Sequence, residues 1–232
     1  MLVAVVAAGI AFGVSSCHKD ATTTDTTVTE ADAAQLTTDA VSPSTGGMVL
    51  QLSSSVTVYK TVTLTCGVQK DSSIAIASVT GVIPSYSYTL SWNYLLTCNG
   101  IVPSQLAFNF TGNGSYNGTL MSSSDKSTGG FVMTGLGTGS QYIFNTTYSR
   151  TGTTTSKVLR QNTFNSVISV TGSNIAVDKT TQLIVSGTAT VNITATSTSG
   201  KTFTFSGTIT FLGSKKANLV LNSGATYVIQ WN

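Results

Sequence analysis

The chain has 232 residues, of which 41% are hydrophobic and 8% charged, with a formal net charge of +3 and a mean hydropathy of +0.23. It holds 41 Thr and 31 Ser but only 3 Pro, and 22 Gly; β-branched residues fit pleated strands and glycine the turns between them. Such a composition excludes a helical bundle, and the apolar content excludes a wholly disordered chain, which leaves a β-rich globular protein.

Residues 2–14 (LVAVVAAGIAFGV) form an apolar run of signal-peptide length, too short to span a bilayer comfortably. Directly after it, Val14-Ser15-Ser16-Cys17 resembles a bacterial lipobox: an aliphatic residue, two small residues and the cysteine that receives lipid. The resemblance implies a signal peptide over 1–16, a lipidated Cys17 as the mature N-terminus, and attachment to a membrane through that lipid. No Lys or Arg precedes the apolar run, a departure from the signal-peptide pattern that points to a start codon set too far downstream. The alternative reading is a buried N-terminal strand with an ordinary cysteine.

Residues 17–45 read as a flexible, solvated tether, because they are Thr-rich, lack aromatics and hold five of the eight acids: Asp20, Asp25, Glu30, Asp32 and Asp39. Within them Thr29-Glu30-Ala31-Asp32 fits an N-cap with acids in the first turn, predicting a short helix over Ala31 to Ala40 that ends at Ser42-Pro43. The whole mature chain resembles Thr/Ser/Gly-rich β lipoproteins of the Bacteroidota type. The likeness lies in the lipobox cysteine, the acidic tether ending in Ala40-Val-Ser-Pro-Ser-Thr-Gly-Gly47, and the closing Tyr227-Val-Ile-Gln-Trp231. It implies an outer-membrane address, with the cell surface favoured over the periplasmic face. It also implies O-glycosylation at Thr26, since Asp25-Thr26-Thr27 is similar to the sequon of that group. No activity comes with it.

Residues 46–232 read as a single all-β domain. In the first half apolar residues fall on even positions: Val58, Val62, Leu64 and Cys66, then Tyr86 through Cys98, then Leu106, Phe108 and Phe110, then Tyr142, Phe144 and Tyr148. From Val185 onward they fall on odd positions, including Val191, Ile193, Ala195, Phe203, Phe205, Ile209, Phe211, Leu219, Leu221, Tyr227, Ile229 and Trp231. Period two means strands with one dry and one wet face. The spacing predicts an antiparallel meander of about 11–13 strands with no helix after residue 45, forming a sandwich-like or curled, half-barrel sheet. A transmembrane barrel is the third architecture that alternates in this way.

The same domain holds ten basic residues (Lys60, Lys70, Lys126, Arg150, Lys157, Arg160, Lys179, Lys201, Lys215, Lys216) and three acids, so 10 − 3 = +7. That charge suits anionic headgroups or acidic glycans, or serves solubility alone; the scatter of the basic residues argues against nucleic acid. Cys66 and Cys98 remain as an even pair in an oxidising compartment and are expected to form a disulfide. A zinc site would need further ligands, and the domain has neither His nor Glu; no metal or cofactor is expected.

Catalysis finds little to work with. The sole histidine, His18, sits beside the anchor, so no Ser-His or Cys-His pair is available. Paired-carboxylate chemistry would draw on Asp71, Asp125 and Asp178, each beside a lysine and each in a turn-like setting where Asp bonds its own backbone. The sequence leaves a Ser-Lys pair open, but the expectation is a protein that is not an enzyme. One reading is a structural or adhesive surface module that contacts glycans or proteins, with Tyr86, Tyr88, Tyr94, Tyr116, Tyr142 and Tyr148 either stacking on sugars or forming the core. The other is a carrier of a lipid or other apolar ligand inside a curved sheet.

Overall fold

The computed structural model describes residues 27–157 and 162–231. Two helices, α1 (Glu30–Val41) and α2 (Met48–Thr61), precede ten strands. The strands are β1 (Gln69–Ala77), β2 (Ser85–Asn99), β3 (Val102–Asn117), β4 (Met121–Thr134), β5 (Gln141–Ser156), β6 (Thr163–Asp178), β7 (Ile184–Ser197), β8 (Thr202–Gly213), β9 (Lys216–Leu221) and β10 (Thr226–Gln230). They form one antiparallel meander in chain order, β1 to β10, with β1 and β10 as its edges. The expected antiparallel meander is therefore present as a curled, unclosed sheet, with ten strands among the described residues.

The alternation assigns the faces. Tyr88, Leu90, Trp92, Tyr94 and Leu96 of β2 are buried, as are Leu106, Phe108 and Phe110 of β3 and Tyr142, Phe144 and Tyr148 of β5. On the later strands Val191, Ile193, Ile209, Phe211, Leu219, Leu221, Ile229 and Trp231 are buried on the same face. β3, β5 and β6 have 16 residues each, far longer than the usual five or six. Register shifts in β2, β5 and β6 mark the irregularities at which such strands bend.

What fills the concave side corrects the sequence reading twice. The described part of the expected tether is core: α1 buries Ala33, Leu36, Ala40 and Val41, and it packs against β6 and β10. The helix itself was legible, since Thr29 caps it and the Asp32 carboxylate accepts from the Thr29 N–H at 2.9 Å, a reciprocal capping box. Low hydrophobicity reads as solvation, but a helix needs only one apolar stripe to dock.

The second correction is α2, a helix beyond residue 45 where none was expected; it takes in Val58 of the run read as alternating, while Val62, Leu64 and Cys66 follow it and stand on no strand. Its buried residues are Met48, Gln51, Leu52, Ser55 and Val56, a period of three to four rather than two. Ser and Thr are poor helix formers because they compete for backbone groups. Here that competition stays inside the helix: Ser54 and Thr57 donate to the carbonyls of Leu50 and Ser53 at 2.8 and 3.0 Å. Burial against the sheet then overrides weak propensity.

Gly46 and Gly47 allow the two helices to turn within the curl. Gly46 has φ +71, and a Cβ there would lie 2.9 Å from the Tyr88 ring; at Gly47 a Cβ would meet the Ala40 and Ser42 carbonyl oxygens at 2.6 Å.

Candidate functional site

The turn between α1 and α2 poses a problem of burial. The last carbonyls of a helix have no partner within it, and here they lie in the core. Arg150, on the inward face of β5 and 4% exposed, answers them. Its Nη1 donates to the Asp39 carbonyl at 2.9 Å and its Nη2 to the Thr45 carbonyl at 2.8 Å. The same Nη2 lies 2.8 Å from Asp125 Oδ2, and the guanidinium carbon sits 4.9 Å over the Tyr116 ring.

Tyrosines complete the clamp. Tyr116 donates to Asp39 Oδ2 at 2.7 Å, Tyr88 to the Ser44 carbonyl at 2.9 Å and Tyr148 to the Gly46 carbonyl at 3.5 Å. Gln35 Nε2 donates to the other oxygen of Asp39 at 3.0 Å. Burial pushes the Asp39 carboxyl up to about 6, against the lowering influence of Tyr116 and Arg150. Burial likewise raises the Tyr116 and Tyr148 hydroxyls, the latter to about 12, so both stay neutral donors. This cluster fastens the helices to the sheet and is consumed by them.

Several expectations change accordingly. Tyr88, Tyr94, Tyr116, Tyr142 and Tyr148 belong to the core, and Tyr86 is half-buried and stacked on Tyr88 at 5.2 Å, so they do not form an exposed sugar-stacking surface. Asp71 and Asp125 stand on strands β1 and β4 instead of in turns. Asp178 does bond its own turn, accepting from the Thr180 and Thr181 N–H groups at 3.0 and 2.7 Å, and those bonds hold its carboxyl below the usual range. Cys66 and Cys98 are joined, with Cα atoms 5.6 Å apart. Cys17, His18 and Thr26 lie outside the described residues.

The middle of the outer face is dominated by Ser, Thr and Asn, with the apolar row Leu95, Ala107, Val132 beside it. Reading straight across the register, one row runs Asp71, Asn93, Asn109, Gly130, Thr147, Thr171, Thr190, Thr208 from β1 to β8. The next runs Ser73, Ser91, Thr111, Thr128, Ser149, Ser169, Asn192, Ser206. Asp71 is the one charged side chain in these two rows. Two depressions open along them: one of about 560 Å³ between β1 and β3, and one of about 380 Å³ between β3 and β6, with Asn109 lining both. Alternation predicts a polar outer face, but not that its rows would align into a trough, which depends on register and strand curvature.

A curled antiparallel meander wrapped on a helical hairpin, with a hydroxyl- and amide-covered outer face, defines the class of this protein. No protein-family model, curated protein or solved structure matches the chain.

Proposed function

We propose that this chain is a lipid-anchored extracytoplasmic β-module of the outer membrane, held through Cys17, and that it is an adhesive or structural binding protein rather than an enzyme. The observation that carries the reading is the outer face: rows of Ser, Thr and Asn with almost no charge, presented on a sheet whose other face is occupied. The Cys66–Cys98 bridge supports an oxidising compartment. Asp39, Asp125 and Arg150, the buried ionisable cluster, are engaged in holding the helices, and the depression of about 250 Å³ that Asp39 and Tyr116 line brings Arg150 and Asp125 no nearer to solvent. The carrier alternative is disfavoured because α1, α2 and the side chains around them take up the concave side that an apolar ligand would need.

Membrane fractionation tests the anchor. The native chain is expected with the membranes and Cys17→Ser in the soluble fraction, and protease treatment of intact cells reports whether the module faces outward. Unchanged partitioning of Cys17→Ser sinks the lipoprotein reading.

A further inference from the structure

The geometry points to the trough on the outer face, from Asn93 and Asn109 across Gly130 to Thr147 and Thr171, as a binding site for a single strand of neutral polysaccharide. The inference deepens the surface-module reading and rests on it for the supply of ligand.

The floor is built by one absence. Gly130 stands between Asn109 and Thr147 in the cross-strand row, and a Cβ there would lie 2.7 Å from Asn109 Oδ1. Its bare backbone makes room for the Asn109 carboxamide, which lines both depressions. The walls are pre-set: Asn109 Nδ2 donates to Asn93 Oδ1 at 3.0 Å, and Thr147 Oγ1 donates to the Gly130 carbonyl at 3.4 Å. The first bond leaves the Asn93 amide hydrogens and the Asn109 carbonyl oxygen for a ligand, one residue offering donors and the next an acceptor. A sugar hydroxyl both donates and accepts, so it suits that alternation. From Asn93 on β2 to Thr171 on β6 the row crosses four strand spacings, about 19 Å, long enough for an extended chain lying across the strands.

Charge selects the occupant. A nucleic acid or acidic glycan would need a lining of Lys or Arg, and the trough has none. A protein partner would need a desolvated centre with aromatic or Arg anchors, and the aromatic rings beneath point to the other face. A membrane would need an apolar or basic surface. An uncharged, hydroxyl-rich chain matches what is left, held by many weak direct and water-mediated bonds.

The test is affinity electrophoresis of the full chain in detergent, through native gels containing cellulose derivative, xylan, mannan or polygalacturonate. Retardation is expected with at least one of the three neutral polymers and not with polygalacturonate. Gly130→Lys, which fills the floor with a cation, and the double variant Asn93→Ala/Asn109→Ala are each expected to raise Kd at least tenfold. Thr194→Lys, on the same outer face but away from the trough, is expected to bind like wild type, and melting curves check that all variants fold. No retardation by any neutral polymer, retardation by polygalacturonate alone, or equal binding by Gly130→Lys and the double variant each overturn the site. These outcomes are separate from membrane fractionation: Cys17-dependent partitioning without polysaccharide binding rejects the trough and leaves the surface module standing.

Discussion

Tyr116 of β3 donates its hydroxyl hydrogen to the Asp39 carboxylate of α1 at 2.7 Å, joining the sheet to a helix through two groups that are both buried. A carboxyl whose value rises from 3.8 to about 6 on folding binds its proton more tightly in the folded state. Its contribution to stability is therefore fully present below about pH 4 and is lost as pH rises to about 6, at a cost of about 3 kcal/mol. Asp39→Asn is expected to flatten that segment of the stability–pH curve. Urea midpoints measured from pH 4 to 7 check it, and an unchanged slope in the variant would assign the pH dependence to other groups.

Arg150 and Asp125 supply a second prediction. Arg150→Met strands a buried carboxylate and removes donors from two carbonyls, so a loss of about 3–5 kcal/mol is expected. Adding Asp125→Leu relieves the stranded charge but not the carbonyls. The double variant should regain part of the loss, and the remainder measures the clamp on the turn. Strict additivity of the two single variants in a double-mutant cycle would show that the pair is not coupled.

These two residues also show how far the sequence was legible. The alternation that assigned Tyr142, Phe144 and Tyr148 to the dry face carries on to Arg150, and the one that holds Phe131 and Met133 runs back to Asp125. A charge in phase with apolar neighbours was thus a readable sign of a buried pair, but its partners on α1 were not, because contacts across more than a hundred residues leave no local pattern. The helices divide in the same way. α1 was visible through its capping box, whereas its burial was hidden by small residues. α2 had its period of three to four masked by Gln51 and Ser55, polar residues in core positions. On the outer face the residue types were plain and the trough was not, since register decides which side chains share a row.

The Cys66–Cys98 bridge closes a loop with a sequence separation of 32, connecting the segment after α2 to the end of β2. In the chain-entropy model its loss costs about 3–4 kcal/mol. β1, the edge strand inside that loop, is exposed along most of its length and depends on β2 alone for pairing. Cys66→Ser/Cys98→Ser is therefore expected to lower the urea midpoint and to speed amide exchange in β1 before the strands β4 to β7. Peptide mapping without reductant should recover the two cysteines joined; uniform exchange across all strands would show that the bridge does not guard the edge.

Three residues of the sheet give a graded test of its faces. Phe131 is 2% exposed in the centre of the sheet, Phe205 is half-buried opposite Ile193, and Thr204 faces solvent opposite Thr194. Phe131→Ala removes a fully enclosed ring and should cost about 3–5 kcal/mol. Phe205→Asp forfeits only part of a ring's burial, about half of the 1.5–3 kcal/mol of a full one, and adds the cost of a carboxylate at a partly dry position. A loss of about 2 kcal/mol follows. Thr204→Asp places its charge in water, where lower strand propensity is the main penalty, and should stay below about 1 kcal/mol. Side-by-side thermal melts should rank the three in that order. Equal losses at 204 and 205 would mean that both faces of β8 are covered, and a larger loss at 204 would invert the face on which the outer rows, and the trough they line, have been placed.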